Sequence, residues 1–362
     1  MAKRKYNFNP GPATLPLDAL EEAQKNMVEY KSTGMSYLEL SHRSKDFEEI
    51  LASTQDLLRS LMEIPATHEI IFLGGGASLH FCMIPMNFLP QGKKACYLIT
   101  GNWSELALKE AKLLGETVVG ASSKEENFRR IPKAHEIKIA PDSVYVHMTS
   151  NNTIYGTQWK SFPETGNIPL IADMSSDIFS RRVDLSKFAV IYGGAQKNLG
   201  PAGVTVVIIN KDFVGQAKEN LPTMLKYKTH VEKNSLYNTP PVFAIYMMKL
   251  VLEWGKKIGG LKKIEQINEE KGRVLYGVVD EYPDFFKGTV DPDSRSLMNA
   301  TIRLPNEDLE KKFISEAAAK DFHGLKGHRS VGGIRVSMYN ALPLEGIEKL
   351  AEFMRDFVKK SG

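Results

Sequence analysis

Apolar positions recur along this chain at two different spacings. From Asp46 onward, Phe47, Ile50, Leu51, Leu57, Leu58 and Leu61 fall at the spacing of one helix face, with Ser44 placed as the cap. A similar pattern predicts a helix from about Leu17 to Tyr30, after an extended Pro/Gly-rich arm, NFNPGPATLP. Short unbroken apolar runs then alternate with helical stretches. EIIFL precedes GGGASLHFCMIPMNFL, ACYLIT precedes WSELALKEAKLLG, and SVYVHMTS, IPLIAD, FAVIYGG and GVTVVIIN follow. Runs of this kind are strands buried on both faces, so the alternation predicts an α/β fold with a mostly parallel sheet between helical layers.

Beyond Asn210 the pattern changes. A loop around NSLYNTPP leads into a predicted helix from Pro241 to about Lys257, and Gly259 and Gly260 break the chain. A second long helix, roughly Leu261 to Tyr282, links to a smaller α+β unit. That unit carries LMNATIRL, GIRVSMYN and a final amphipathic helix with Ile347, Leu350, Phe353, Met354 and Phe357. The division expected is an arm over 1–15, a large domain over 16–260 and a small C-terminal domain over 261–362.

Composition narrows the function. The 362 residues are 42% hydrophobic and 25% charged, which is ordinary for a soluble globular protein. A net charge of +4 spread over the chain marks neither a nucleic-acid nor a membrane surface, and leaves room for a small anionic ligand. Cys82 and Cys96 both sit in apolar runs, so no disulfide framework or zinc set is expected and a cytoplasmic location is. No run approaches the length of a membrane helix, and MAKRKYNFNPGPA lacks the apolar stretch of a signal peptide.

Candidate chemistry gathers where apolar strands end. FAVIYGG delivers Gln196 and Lys197 to its C-terminal end, the place where open α/β sheets bind ligands. Lys197 is either an exposed turn lysine or, if desolvated, a nucleophilic amine suited to Schiff-base chemistry. Asp173 closes IPLIAD and is either a cap or ion-pair partner, or a carboxylate facing a cofactor's pyridinium nitrogen. GGGASL follows EIIFL and opens a helix. It is either a tight turn or a phosphate cradle with Ser78 adding a hydroxyl, and it lacks the spacing of an ATP or dinucleotide motif. Trp103 after ACYLIT packs in the core or stacks on a flat ring, and Thr153 after SVYVHMT is a candidate donor.

Taken in order, NFNPGPA, SHRS, GGGASL, ADMSS, GGAQKNLGPAG, YNTPP and GHRSVGGIRVSMYNALPLEG resemble the fold-type I, class V pyridoxal-phosphate aminotransferases, and within them the phosphoserine aminotransferases, over essentially the whole chain. The resemblance implies a seven-stranded large-domain sheet and pyridoxal 5′-phosphate as cofactor. It also implies a homodimer whose active sites are shared across the interface. By motif position, Lys197 forms the Schiff base, Asp173 contacts the ring nitrogen, Trp103 stacks on the ring and Thr153 bonds its phenolic oxygen. Gly76, Ala77 and Gln196 hold the phosphate, with Ser78 and Ser175 as weaker candidates, and Asn238 and Thr239 reach it from the neighbouring subunit. Some members carry Arg where this chain has Ala77, so that substrate contact is absent here.

The implied substrates carry a carboxylate and a phosphate, which calls for several cationic donors. Arg335 best matches the α-carboxylate, while His42, Arg43, His328 and Arg329 gather around the phosphate or the glutamate side chain. The implied reaction is a ping-pong transamination between L-glutamate and 3-phosphohydroxypyruvate. It gives 2-oxoglutarate and O-phospho-L-serine for serine biosynthesis, with 4-phosphohydroxy-L-threonine of pyridoxine biosynthesis as a further substrate. Rivals are an aminotransferase for small unphosphorylated acids, a cysteine desulfurase, for which Cys82 and Cys96 look too buried, and a non-catalytic binding protein.

Overall fold

The computed structural model describes residues 4–362, so the first three residues of the arm expected over 1–15 lie outside it. The chain opens with β1 (Tyr6–Asn7) and continues through β2 (His68–Leu73), β3 (Lys94–Ile99), β4 (Glu116–Ser122) and β5 (Ser143–Thr149). A short pair, β6 (Asn151–Asn152) and β7 (Thr157–Gln158), comes next, then β8 (Leu170–Asp173), β9 (Val190–Gly194) and β10 (Thr205–Asn210). Seven of these strands form one sheet in the order β2, β10, β9, β8, β5, β3, β4. It is mixed, because β10 runs antiparallel to both of its neighbours while the strands from β9 to β4 are parallel.

That single reversal has a consequence for the site. Since β10 opposes both β2 and β9, those two run the same way, and β2, β3, β5, β8 and β9 all end at one edge of the sheet. The inner strands are largely apolar because helices cover both faces. Ile208 and Val206 pack with the helices Lys45–Leu61 and Val242–Lys257, while Val207 and Ile209 face the helices Gly76–Phe88 and Asn102–Lys112. Ser44 caps the first of these helices, its side chain accepting from the Phe47 amide. The helix expected over 17–30 is shorter and ends at Lys25. There the Asn26 side chain bonds the Glu22 carbonyl at 2.9 Å, and Lys31, Ser32 and Gly34 take positive φ.

The C-terminal unit holds β11 (Lys287–Gly288), β12 (Asn299–Arg303), β13 (Phe322–His323) and β14 (Ile334–Ser337). β11, β12 and β14 form an antiparallel sheet, while β13 pairs in parallel with β1 of the arm. The arm is therefore part of this unit, and Phe8 lies inside its core. The helix Gly260–Glu281 bridges the two cores, with Leu261 and Ile264 in the larger and Leu275, Val278 and Val279 in the smaller.

Midway along that helix, Lys271 is fully buried. Its amine donates to the carbonyls of Met338, Tyr339 and Leu342 at 3.1, 2.8 and 3.2 Å, pinning the turn after β14. Replacing it strands three acceptors, each costing roughly 1 kcal/mol or more. We expect Lys271→Met to lower unfolding stability by about 3 kcal/mol in urea titration; a loss under about 0.5 kcal/mol would contradict this role.

Candidate active site

The strand ends enclose a cavity of about 420 Å³. At the end of β2 the chain turns through Gly75, whose φ of +86° and 2.6 Å clearance from a hypothetical Cβ to Leu79 Cδ2 leave no room for a side chain. The helix Gly76–Phe88 starts there with no side-chain cap, so its first-turn N–H groups at Gly76, Ala77 and Ser78 face the cavity unengaged. On the neighbouring strands, β3 leads to Trp103, β5 ends at Thr149 and continues to Thr153, and β8 ends at Asp173.

Asp173 pairs in register with Thr149 on one side and Tyr192 on the other. Its Oδ1 accepts from the Ser175 amide at 2.9 Å and the Ser175 hydroxyl at 2.6 Å. Burial pushes its pKa up, while these two donors and the Lys197 charge pull it back. Lys197 lies in the connection between β9 and β10. Its amine is pushed down to about 8, chiefly by burial and further by Arg335, against the opposing pull of Asp173 and Asp177. Its one hydrogen bond runs to Thr153 Oγ1 at 2.7 Å. The arm closes over it: Gly11 lies against the Lys197 side chain, and the Ala13 amide donates to the Gln196 carbonyl at 2.9 Å.

From the small unit, β14 sends in Arg335, and the loop before it sends His328. Burial works against the charge on both, and the Arg335 and Arg329 cations lower His328 further. Three buried donors in the cavity wall have no partner: Trp103 Nε1, Thr149 Oγ1 and Arg335 Nε. Unsatisfied buried polar atoms carry a desolvation penalty, so such a wall is built for a polar ligand.

Of the residues expected from sequence, the cavity gathers Gly76, Ala77, Ser78, Trp103, Thr153, Asp173, Ser175, Gln196, Lys197, His328 and Arg335. Arg329 is exposed and does not line the cavity. Asn238 and Thr239 line a different cleft beside Gly74 and Met224, and His42 and Arg43 sit on the loop before the helix Lys45–Leu61. Within one chain none of these reaches the cavity. Sequence reading missed Pro10, Gly11, Asn102, Thr149, Asn151 and Ser176, all of which line it. Thr149 was findable as the last residue of an apolar strand, whereas nothing local placed the arm there.

The Aminotransferase class-V family profile matches residues 5–350. Phosphoserine aminotransferase from Lysinibacillus sphaericus (strain C3-41) is 54% identical over 360 residues, covering 99% of each chain. The solved phosphoserine aminotransferase from Bacillus circulans subsp. alkalophilus superposes with a TM-score of 0.97 at 52% identity, covering 99% of each chain. The pyridoxal-phosphate-bound phosphoserine aminotransferase from Trichomonas vaginalis has a TM-score of 0.93 at 37% identity, covering 97% of this chain and 100% of that one. The chain belongs to the class-V aminotransferases, and within them to the phosphoserine aminotransferase family.

The depressed pKa of Lys197 gives a test that needs no substrate. Only the neutral amine is nucleophilic, so trace labelling of Lys197 by an acylating reagent rises about tenfold per pH unit and levels off above about pH 8. A midpoint near the ordinary 10.5 would contradict the burial argument.

Proposed function

We propose that this chain is a pyridoxal-phosphate-dependent phosphoserine aminotransferase that moves an amino group between L-glutamate and 3-phosphohydroxypyruvate. The observation that carries this reading is the convergence of a buried, depressed Lys197 amine and a buried Asp173 carboxylate, ringed by unpartnered donors. Those donors suit the cofactor, whose phosphate, ring and phenolic oxygen call for N–H groups, a flat wall and a hydroxyl. The unengaged N-terminus of the helix Gly76–Phe88, with Ser78 and Gln196, would hold the phosphate. Trp103 would form the flat wall, Thr153 would bond the phenolic oxygen, and Asp173, braced by Ser175, would face the ring nitrogen. When bound, pyridoxal phosphate supplies the electron sink for the pair left as the substrate α-carbon loses its proton.

The protein's own groups do the rest. Lys197 Nζ would hold the cofactor and, once displaced by the substrate amine, would act as the free base that carries the α-carbon proton to the cofactor C4′, and would carry a proton in the opposite sense for the oxo-acid acceptor. Arg335 offers two parallel N–H groups to the α-carboxylate, in a setting dry enough for that pairing to be strong. His328 adds a donor near the distal end. The same pair of anion-binding groups would admit 4-phosphohydroxy-L-threonine as a second substrate.

We place His42, Arg43, Asn238 and Thr239 at the cavity of a second copy in a homodimer, with Arg329 joining His328. That Arg43, Asn238 and Thr239 are exposed and His42 half-buried, all outside the cavity of their own chain, supports this, as do several large apolar side chains left exposed. Met35 is 47% exposed, Leu38 53%, Met224 44%, Tyr237 43% and Phe243 38%. Exposed large apolar side chains near these residues are of the kind that interfaces cover. A cytoplasmic site of action accords with free cysteines, and among the described residues no helix is long and apolar enough to cross a membrane. The desulfurase reading is disfavoured by the thiols. Cys96 is buried and Cys82 half-buried, burial pushes both pKa values up, and neither lines the cavity.

Two measurements test the proposal. Lys197→Ala is expected to lower turnover by roughly 10³-fold or more, and unchanged turnover would end the reading. For the intact protein, kcat/KM for phosphoserine is expected to exceed that for serine by roughly 100-fold, the worth of one dianionic anchor; equal values would favour the aminotransferase of small unphosphorylated acids.

A further inference from the structure

A second cavity, of about 600 Å³, opens where the arm, the helices Val242–Lys257 and Gly260–Glu281 and the turn after β14 meet. It shares no wall residue with the Lys197 cavity. It lies between the two cores: Trp254, Ile258 and Ile264 belong to the larger, Tyr6 and Leu342 to the smaller. Junctions between packed units are where small-molecule sites form. Much of the wall is apolar and incompletely covered. Trp254, Ile258, Ile267 and Leu344 are half-buried, and Leu17 is 43% exposed. Water in such a hollow is held against apolar surface, and a hydrocarbon body in its place is favoured.

The uncharged polar side chains of the wall are already engaged within the protein. Asn340 Nδ2 donates to the Phe179 carbonyl at 2.7 Å, and its Oδ1 accepts from Asn268 at 2.8 Å. The Thr14 hydroxyl donates to the Asn7 carbonyl at 2.9 Å, Asn7 Oδ1 accepts from the Asn9 amide at 3.0 Å, and the Tyr6 hydroxyl accepts from Lys349 at 3.0 Å. What remains is cationic. Arg4, Lys5 and Lys263 line the cavity, all three are exposed, and no carboxylate lines it. Arg4 commits one N–H to the Leu15 carbonyl at 3.1 Å, and among the described residues none of the three cations has an ion pair. The carboxylates nearest in sequence to the wall are held by other cations: Asp18 by Lys257 at 2.6 Å, Glu265 by Arg182 at 2.7 Å and Glu345 by Lys349. The hollow therefore has apolar walls, a positive rim and no carboxylate in its lining to repel an anion.

We propose that this cavity is a binding site for a small apolar carboxylate, of which a medium-chain fatty acid is the simplest example. Its hydrocarbon would lie against Trp254, Ile267 and Leu344, and its carboxylate among Arg4, Lys5 and Lys263. The walls supply affinity and the rim supplies selectivity. A compact, strongly hydrated anion makes no use of the walls and gains little from exposed cations, and an apolar cation is repelled by the rim. The site borders elements that hold Lys197. The Asn340 amide donates at 3.0 Å to Oδ1 of Asn198, the residue after Lys197, and the arm that begins at Arg4 and Lys5 runs on to Gly11 against the Lys197 side chain.

The test is equilibrium dialysis of radiolabelled decanoate against the full-length, cofactor-loaded protein at low salt, with decylammonium in parallel. Decanoate is expected to bind saturably, one per chain, and decylammonium at least about tenfold more weakly. The double variant Lys5→Glu, Lys263→Glu is expected to weaken decanoate about tenfold and to abolish its advantage over decylammonium. Lys263→Gln alone gives a smaller loss in the same direction. Arg335→Gln, which removes the cation buried in the Lys197 cavity, leaves decanoate binding unchanged. No saturable binding overturns the proposal, as when a second copy of the chain covers the cavity, and so does equal binding of decylammonium. Unchanged affinity in the charge variants means that the hydrocarbon has gone elsewhere, and a tenfold loss in Arg335→Gln means that the anion sits beside Lys197; either result also overturns it.

Discussion

Everything around the cavity answers to one constraint: the amine of Lys197 has to be buried among groups that neither neutralise it permanently nor leave it stranded. A buried ammonium is costly, and a close carboxylate would lock it into an ion pair. The structure gives it a hydroxyl instead, Thr153, with Asp173 and Arg335 pulling in opposite directions. The result is an amine whose pKa falls to about 8, close enough to neutrality to exchange between bonded and free states.

That balance draws on both structural units. The sheet edge supplies Lys197, Asp173 and Thr153 from neighbouring strand ends, and the single antiparallel strand β10 lets β2 add its helix N-terminus to the same edge. The C-terminal unit supplies Arg335 from β14, directly before the turn that Lys271 anchors. The arm joins them, pairing with β13 at one end and lying on Lys197 at the other. Rigid strand ends thus set the positions of the chemistry and supply Asp173 and Asp177, while the second unit adds the opposing Arg335 charge and the arm adds burial.

Much of this was legible in the sequence. Continuous apolar runs ending in Gly-rich turns or polar residues located the strands, and the residues just past them, Asp173, Gln196 and Lys197, proved to share one cavity. Helix periods were read well where a cap was present, as at Ser44, and overextended where Asn26 competes for the Glu22 carbonyl. What sequence could not provide was contact between distant segments. Pro10 and Gly11 enter the cavity through pairing of β1 with β13, more than three hundred residues away along the chain. Asn238, Thr239, His42 and Arg43 lie outside the cavity of their own chain, and no local feature of the sequence marked them as separate from the residues that line it.

As proposed above, this cavity binds pyridoxal phosphate on Lys197 and passes amino groups to phosphorylated substrates. The most direct test is the visible spectrum of the purified protein before and after addition of phosphoserine, with glutamate and alanine in parallel. The expected result is a lysine-bound cofactor band that gives way to the aminated form with phosphoserine and glutamate and persists with alanine. A protein that shows no such band after incubation with added pyridoxal phosphate, or whose band responds equally to alanine, would contradict it.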